Sequence, residues 1–162
     1  MQIERARPSD LPAVEALLSA AGLPLAGAAL AFESGVVARD GEAVVGAAGV
    51  ERYGSVGLLR SVVVAPDRRG AGLGHDLVAA AEDLARRQGV RELYLLTETA
   101  IGWFPRLGYT AIPRDEAEAA VGCSLEFTSA CPDTAVAMCR QLAGRDTPRI
   151  GTAPETRVRP SI

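Results

Sequence analysis

Residues 60–75 read RSVVVAPDRRGAGLGH. An apolar run stops at Pro66, Arg68 and Arg69 follow, and Gly70, Gly72 and Gly74 then alternate with Ala71 and Leu73. The run reaches back to Leu58. So continuous an apolar stretch predicts a central strand buried on both faces. Beyond the glycines, residues 74–89 set Leu77, Val78, Ala81, Leu84 and Ala85 on one helical face, and Gly89 caps the end. A strand, a glycine-rich turn and a helix N-terminus in this order make an anion site. The first helical N–H groups lack partners, the helix dipole is positive there, and glycine lets a ligand approach the backbone. Two arginines add charge. The predicted ligand carries a phosphate or pyrophosphate.

Two familiar glycine loops fit poorly. A Walker loop needs a Lys after its last glycine, and this chain contains no Lys at all. A dinucleotide fingerprint starting at Gly70 needs a third glycine where His75 stands, and it follows its strand directly. Here the elbow Pro66-Asp67-Arg68-Arg69 intervenes.

Working outward, an antiparallel block precedes the loop. Residues 35–39 (GVVAR) lead into Asp40-Gly41, a strong hairpin signal, and residues 42–52 return. The YGSVG turn then feeds the strand at 58–65. Upstream, residues 2–6 alternate as a short strand. Pro8, Ser9 and Asp10 signal a helix start, and a weaker helix is expected within 24–32. Downstream, 93–97 (LYLLT) predicts a strand parallel to 58–65 if the helix is a crossover. Residues 100–112 read as a short helix and a strand, 114–120 as a helix, and 134–142 as a last strand. The expected fold is α/β, of the mixed-sheet α+β kind: antiparallel N-terminal strands and a central parallel pair, flanked by helices. One domain spans 1–142. Residues 143–162 carry three prolines and no periodicity, and read as a flexible tail.

Composition excludes several functions. The net charge of −3 offers no general basic field to a nucleic acid. No apolar run approaches the roughly 20 residues of a membrane span. The charged N-terminus reads as a mature cytoplasmic start. Cys123, Cys131 and Cys139 are odd in number and form no CxxC pair, so no metal site is expected.

The loop resembles the acetyl-CoA loop of the GNAT N-acetyltransferases. Their motif, Gln/Arg-x-x-Gly-x-Gly/Ala, stands here as Arg69-Gly70-Ala71-Gly72-Leu73-Gly74, after a strand ending Val64-Ala65-Pro66. Trp103-Phe104-Pro105-Arg106-Leu107-Gly108-Tyr109 and the element order extend the likeness over 2–142. The resemblance implies the GNAT fold and acetyl-CoA as cosubstrate. Val62, Val63 and Val64 would offer backbone groups to the pantetheine arm. Arg69, Gly70, Ala71, Gly72, Leu73, Gly74 and His75 would hold the pyrophosphate. N–H groups near Val62 would polarise the thioester carbonyl. A small-molecule amine would attack directly, and a homodimer is common in the family. Many relatives carry a Tyr acid where this chain has Phe104, which leaves open a CoA-binding sensor instead of an enzyme. Two branches look similar: the acetyltransferase domain of N-acetylglutamate synthases, and a branch linked to arsenic-resistance operons. LLRSVVVAP, ELYLLTETA, FPRLGY and EFTSACP resemble the second.

Chemistry beyond the cofactor rests on three residues. A base helps an amine become neutral. Glu98, just past the strand at 93–97, and Glu51, at the end of 42–52, are the candidates, and each also reads as a solvated carboxylate. Arg60 stands inside an apolar strand. It either pairs with a carboxylate structurally or clamps a substrate oxyanion. The clamp would suit an amino-acid-like acceptor, including arsenic- or phosphorus-containing ones. Thiolates invite a metalloid-binding alternative, for which Cys131 is the residue to test; Cys139 reads as a small buried strand residue.

Overall fold

The computed structural model describes residues 1–122, 124 and 134–142. The tail beyond 142, Cys123 and Cys131 lie outside them.

Strand β1 (Gln2–Arg5) leads through a 3-10 turn into helix α1 (Leu11–Ala20), and α2 (Ala28–Phe32) follows. Pro12 sits in the first turn of α1, where a missing N–H costs nothing. Val14 and Leu18, four apart, bury its inner face completely. Strands β2 (Val36–Asp40), β3 (Ala43–Tyr53) and β4 (Val56–Val64) form the antiparallel block. Asp40-Gly41 turns β2 into β3 as expected. β3 and β4 extend further toward each other than their apolar runs indicate, leaving only Gly54-Ser55 between them. Helix α3 (Leu73–Arg87), β5 (Glu92–Thr97), β6 (Thr110–Ala111), α4 (Arg114–Val121) and β7 (Val136–Gln141) complete the order.

The strands form one sheet in the order β1-β2-β3-β4-β5-β7-β6. Every neighbouring pair is antiparallel except β4–β5, the predicted crossover pair. β7 inserts between β5 and β6. The sheet has a core on each face. On one, α1 and α2 pack over Val37, Ala47 and Val63. On the other, α3 packs over Leu59, Leu93 and Leu95. β3 is rich in Gly and Ala because helices press on it from both sides. A Cβ at Gly49 would lie 2.9 Å from the Ala31 methyl of α2, a clash that only glycine avoids.

β4 departs from plain alternation. A two-residue period puts Leu59, Ser61 and Val63 on one face. Instead Ser61 has φ +56°, and the pairing with β3 jumps from Ala47–Val63 to Gly49–Arg60. This β-bulge inserts a residue and reverses the faces beyond it. Leu59, Val62 and Val64 therefore share the α3 side, and Val63 joins the α1–α2 core.

The parallel pair is short. β4 meets β5 only from Val56 to Leu58, opposite Glu92 to Tyr94. β5 then continues to Thr97 along β7, away from β4. The two central strands separate just before the bulge turns β4, and they leave a wedge between them.

Candidate functional site

The wedge opens into a cleft of about 910 Å³. One wall is β4 from Leu59 to Val64, and the other is Leu95 to Ala100 at the end of β5. The glycine loop closes one end, and Ala21 to Pro24, between α1 and α2, borders the other.

The β4 wall turns backbone groups toward the cleft. Val64 faces Gly46, and the next N–H, that of Ala65, donates to the Val45 carbonyl at 2.8 Å. Val64 thus occupies the non-hydrogen-bonded position against β3, so its own N–H and C=O point into the wedge. Val62, beside the bulge, shares the α3 face with Val64 and also lines the cleft. The Val64 carbonyl accepts a hydrogen bond from Arg69 Nε at 3.0 Å. Val63 turns its side chain to the opposite core and is buried.

The basic elbow divides its work. Residues Pro66–Arg68 form a 3-10 turn. Arg68 is hydrogen-bonded to Asp40, which ties the elbow to the β2–β3 hairpin. Arg69 stays exposed on the cleft side. Gly72 has φ +84° as it caps α3, a backbone region that L residues enter at a cost. The first helical hydrogen bond runs from Asp76 N–H to the Gly72 carbonyl, 3.1 Å. The N–H groups of Leu73, Gly74 and His75 precede it and lack helical partners, at the positive end of the dipole. Leu73 is buried as the plug beneath the loop. Ala71 faces a shallower groove with Asp67 and Asp76 rather than the main cleft. His75 exposes its imidazole, 3.6 Å from Asp76, so its backbone is what it presents to the loop.

Aromatic rings form the floor. Trp103 lies over the start of α3, its ring 3.3 Å from where a Cβ of Gly74 would stand. Its ring meets Phe104 edge to face at 4.9 Å, and Phe104 meets Tyr109 likewise at 5.5 Å. Phe104 lines the cleft with no hydroxyl to offer. Tyr109 is buried behind it, and its hydroxyl donates to Glu82 at 2.9 Å. Burial, then the Glu82 charge, pushes that phenol far above its ordinary range, so it is no proton donor to the cleft. Glu82 also accepts from Arg140 Nη1 at 2.8 and 2.9 Å, which pins α3 to β7.

The two carboxylates part company. Glu98 is exposed at the cleft mouth and accepts a hydrogen bond from the Thr134 hydroxyl at 2.7 Å. Glu51 is buried and is not among the residues lining the cleft. It lies 3.5 Å from Arg60, and Tyr53 donates to it at 3.2 Å. Arg60 Nε donates to the Ser61 hydroxyl at 3.2 Å, and Nη2 to the Pro24 carbonyl at 3.5 Å. Gly27 packs directly on the guanidinium. This geometry gives Arg60 the structural pairing, with its side chain covered, and it also places Arg60 among the residues lining the cleft.

Two features escaped the sequence. One is the Ser61 bulge; its only signal was a small polar residue inside the apolar run. The other is the part that Ala21 to Pro24, between the two helices, take in bordering the cleft.

Residues 32–111 match the family described as acetyltransferase (GNAT) domain. The chain has the GNAT fold, and the matched segment is just under half of the chain. An amino-acid acetyltransferase of Serratia proteamaculans is 38% identical over 55 residues, 34% of this chain and 12% of that protein. The N-acetylglutamate synthase of Neisseria gonorrhoeae, solved with coenzyme A and N-acetyl-glutamate, superposes with a TM-score of 0.74 at 22% identity, over 88% of this chain and 35% of that one. Rv2747 of Mycobacterium tuberculosis, solved with CoA, gives 0.69 at 24% identity, over 88% and 100%. At such identities the two structures speak for the GNAT fold. The chain spans only about an eighth of the curated relative and about a third of the synthase. Among the described residues no group of His, Cys, Asp and Glu is arranged to hold a metal, and no helix is long and apolar enough to cross a membrane.

Proposed function

We propose that this GNAT protein transfers acetyl from acetyl-CoA directly to the primary amine of a small, amino-acid-like molecule. The observation that carries the reading is the wedge. It runs from helix N–H groups at the glycine loop, along the edge of β4 at Val64 and Val62, to a bulge at Ser61. A pyrophosphate, a pantetheine arm and a thioester suit these three stations in that order. Amides next to the bulge would hold the oxyanion as the amine nitrogen bonds to the thioester carbon. The C–S bond then breaks, the thiolate leaves as CoA, and the amine proton passes to a base. Glu98, at the open mouth, is the candidate base, directly or through a water. With Phe104 on the floor, the thiolate takes its proton from solvent.

The amino-acid character of the acceptor is supported by the likeness to the Serratia amino-acid acetyltransferase. The stretches ELYLLTETA and FPRLGY support the arsenic-associated branch, so arsenic- and phosphorus-bearing amino acids belong among the acceptors. A cytoplasmic setting and a homodimer form part of this reading; gel filtration tests the latter. The deciding experiment follows thiol release from acetyl-CoA over a panel of amino acids and these analogues. Turnover with at least one supports the reading. Tight acetyl-CoA binding with no turnover across the panel replaces it with a CoA sensor, and no binding at millimolar acetyl-CoA removes both.

A further inference from the structure

We propose that Arg69 sets donor specificity, by closing on the free edge of β4 against thioesters that lack a pyrophosphate. The inference rests on the acetyl-CoA reading and concerns which donors the same cleft accepts.

Arg69 lines the cleft beside the glycine loop. Its Nε is spent on the Val64 carbonyl at 3.0 Å. That carbonyl faces the wedge, because Val64 holds the non-hydrogen-bonded position against Gly46. A pantetheine arm lying along β4 as an added strand needs the same acceptor for one of its amide N–H groups. Arm and guanidinium therefore converge on one oxygen, on which the guanidinium is already seated. Arg68, the other elbow arginine, is occupied by Asp40 and takes no part.

What draws Arg69 away is charge. A pyrophosphate at the N–H groups of Leu73 to His75 gives the guanidinium a charged partner in place of a neutral carbonyl. Charge-assisted pairs are roughly twice as strong as neutral ones. A CoA thioester thus opens the edge with one end while its arm occupies it with the other. A thioester on bare pantetheine must displace Arg69 with nothing to offer it. The same holds for any donor whose phosphates lie out of reach of the loop.

The test is a crossover. Isothermal titration measures acetyl-CoA and S-acetyl-pantetheine against the wild type, Arg69→Ala and Arg68→Ala. Arg69 is exposed, so its truncation leaves the fold intact. Arg69→Ala should weaken acetyl-CoA about tenfold, as an ion-assisted contact is lost. It should tighten acetyl-pantetheine about fivefold, the worth of one ordinary hydrogen bond no longer broken. Arg68→Ala should give no gain with acetyl-pantetheine. Arg69→Ala that weakens both ligands, or leaves acetyl-pantetheine unchanged, overturns the inference and leaves the acetyl-CoA reading standing. A gain in Arg68→Ala overturns it too, by assigning the effect to general charge. A wild type that does not bind acetyl-CoA is the separate failure of the functional reading.

Discussion

Arg60 and Glu51 stand on neighbouring strands with their charged groups 3.5 Å apart, and both side chains are buried, at 0% and 1% exposure. The guanidinium reaches three parts of the site from this position: Glu51 of β3, the Ser61 hydroxyl at the bulge, and the Pro24 carbonyl at the far end of the cleft. Breaking a buried pair strands a charge, which typically costs about 3–5 kcal/mol. Arg60→Ala should lower stability by about that much in urea unfolding. Replacing both residues by apolar ones of similar volume should cost much less. Equal losses in the single and double variants would show that the pair is not the source.

Ser61 tests the bulge. Its φ of +56° admits glycine freely and opposes a β-branched side chain. Ser61→Gly should keep stability within about 1 kcal/mol of the wild type. Ser61→Val should lose about 1–3 kcal/mol. It should also lower kcat more than it raises KM for acetyl-CoA, since the amides beside the thioester move while the glycine loop does not. Wild-type kcat in Ser61→Val would detach the bulge from the chemistry.

Glu98 is exposed, so its substitution leaves the core untouched. Glu98→Gln keeps an acceptor for the Thr134 hydroxyl but removes the base. Steady-state kinetics should show kcat down by about 10²-fold or more, the usual worth of a general base, with KM for acetyl-CoA unchanged. An unaltered kcat would assign the proton to water alone.

Asp10 makes stability depend on acid. Burial alone would raise its pKa, but hydrogen bonds from Arg39 and the Arg7 N–H, with both positive charges, outweigh that and bring it below the ordinary 3.8. Glu92 is also lowered, from 4.5, by hydrogen bonds from Gln141 and Tyr94 against the pull of burial. A carboxylate with a depressed folded pKa binds fewer protons folded than unfolded. Its contribution is full above the unfolded value and fades as pH falls through the folded one. Urea midpoints should therefore be flat near neutrality and drop below pH 4.5 and again below 3.8. Asp10→Asn should be less stable at pH 7 by about 2 kcal/mol, a charged hydrogen bond's worth, and should converge with the wild type in acid. A constant gap at every pH would sink this assignment.

Much of this was legible in one dimension, wherever one residue's chemistry decides its own backbone. Asp40-Gly41 made a hairpin, and the apolar run at 58–65 became the central strand β4, Val56–Val64. These are local rules, and a run of residues obeys them without its neighbours in space. The tertiary structure decided what depends on partners far apart in sequence. Arg60 could not reveal whether it met Glu51 or a substrate, because the partner lies across a strand pair. Glu98 and Glu51 looked equivalent as strand-end carboxylates, and only packing exposed one and buried the other. The bulge at Ser61 arises from fitting β4 against β3 under helices on both faces. No period in the sequence records it, yet it reverses Val63. The glycines between Arg69 and His75 set the turn that leaves the first N–H groups of α3 without helical partners; the parting of two strands, a property of the whole sheet, makes the room beside them.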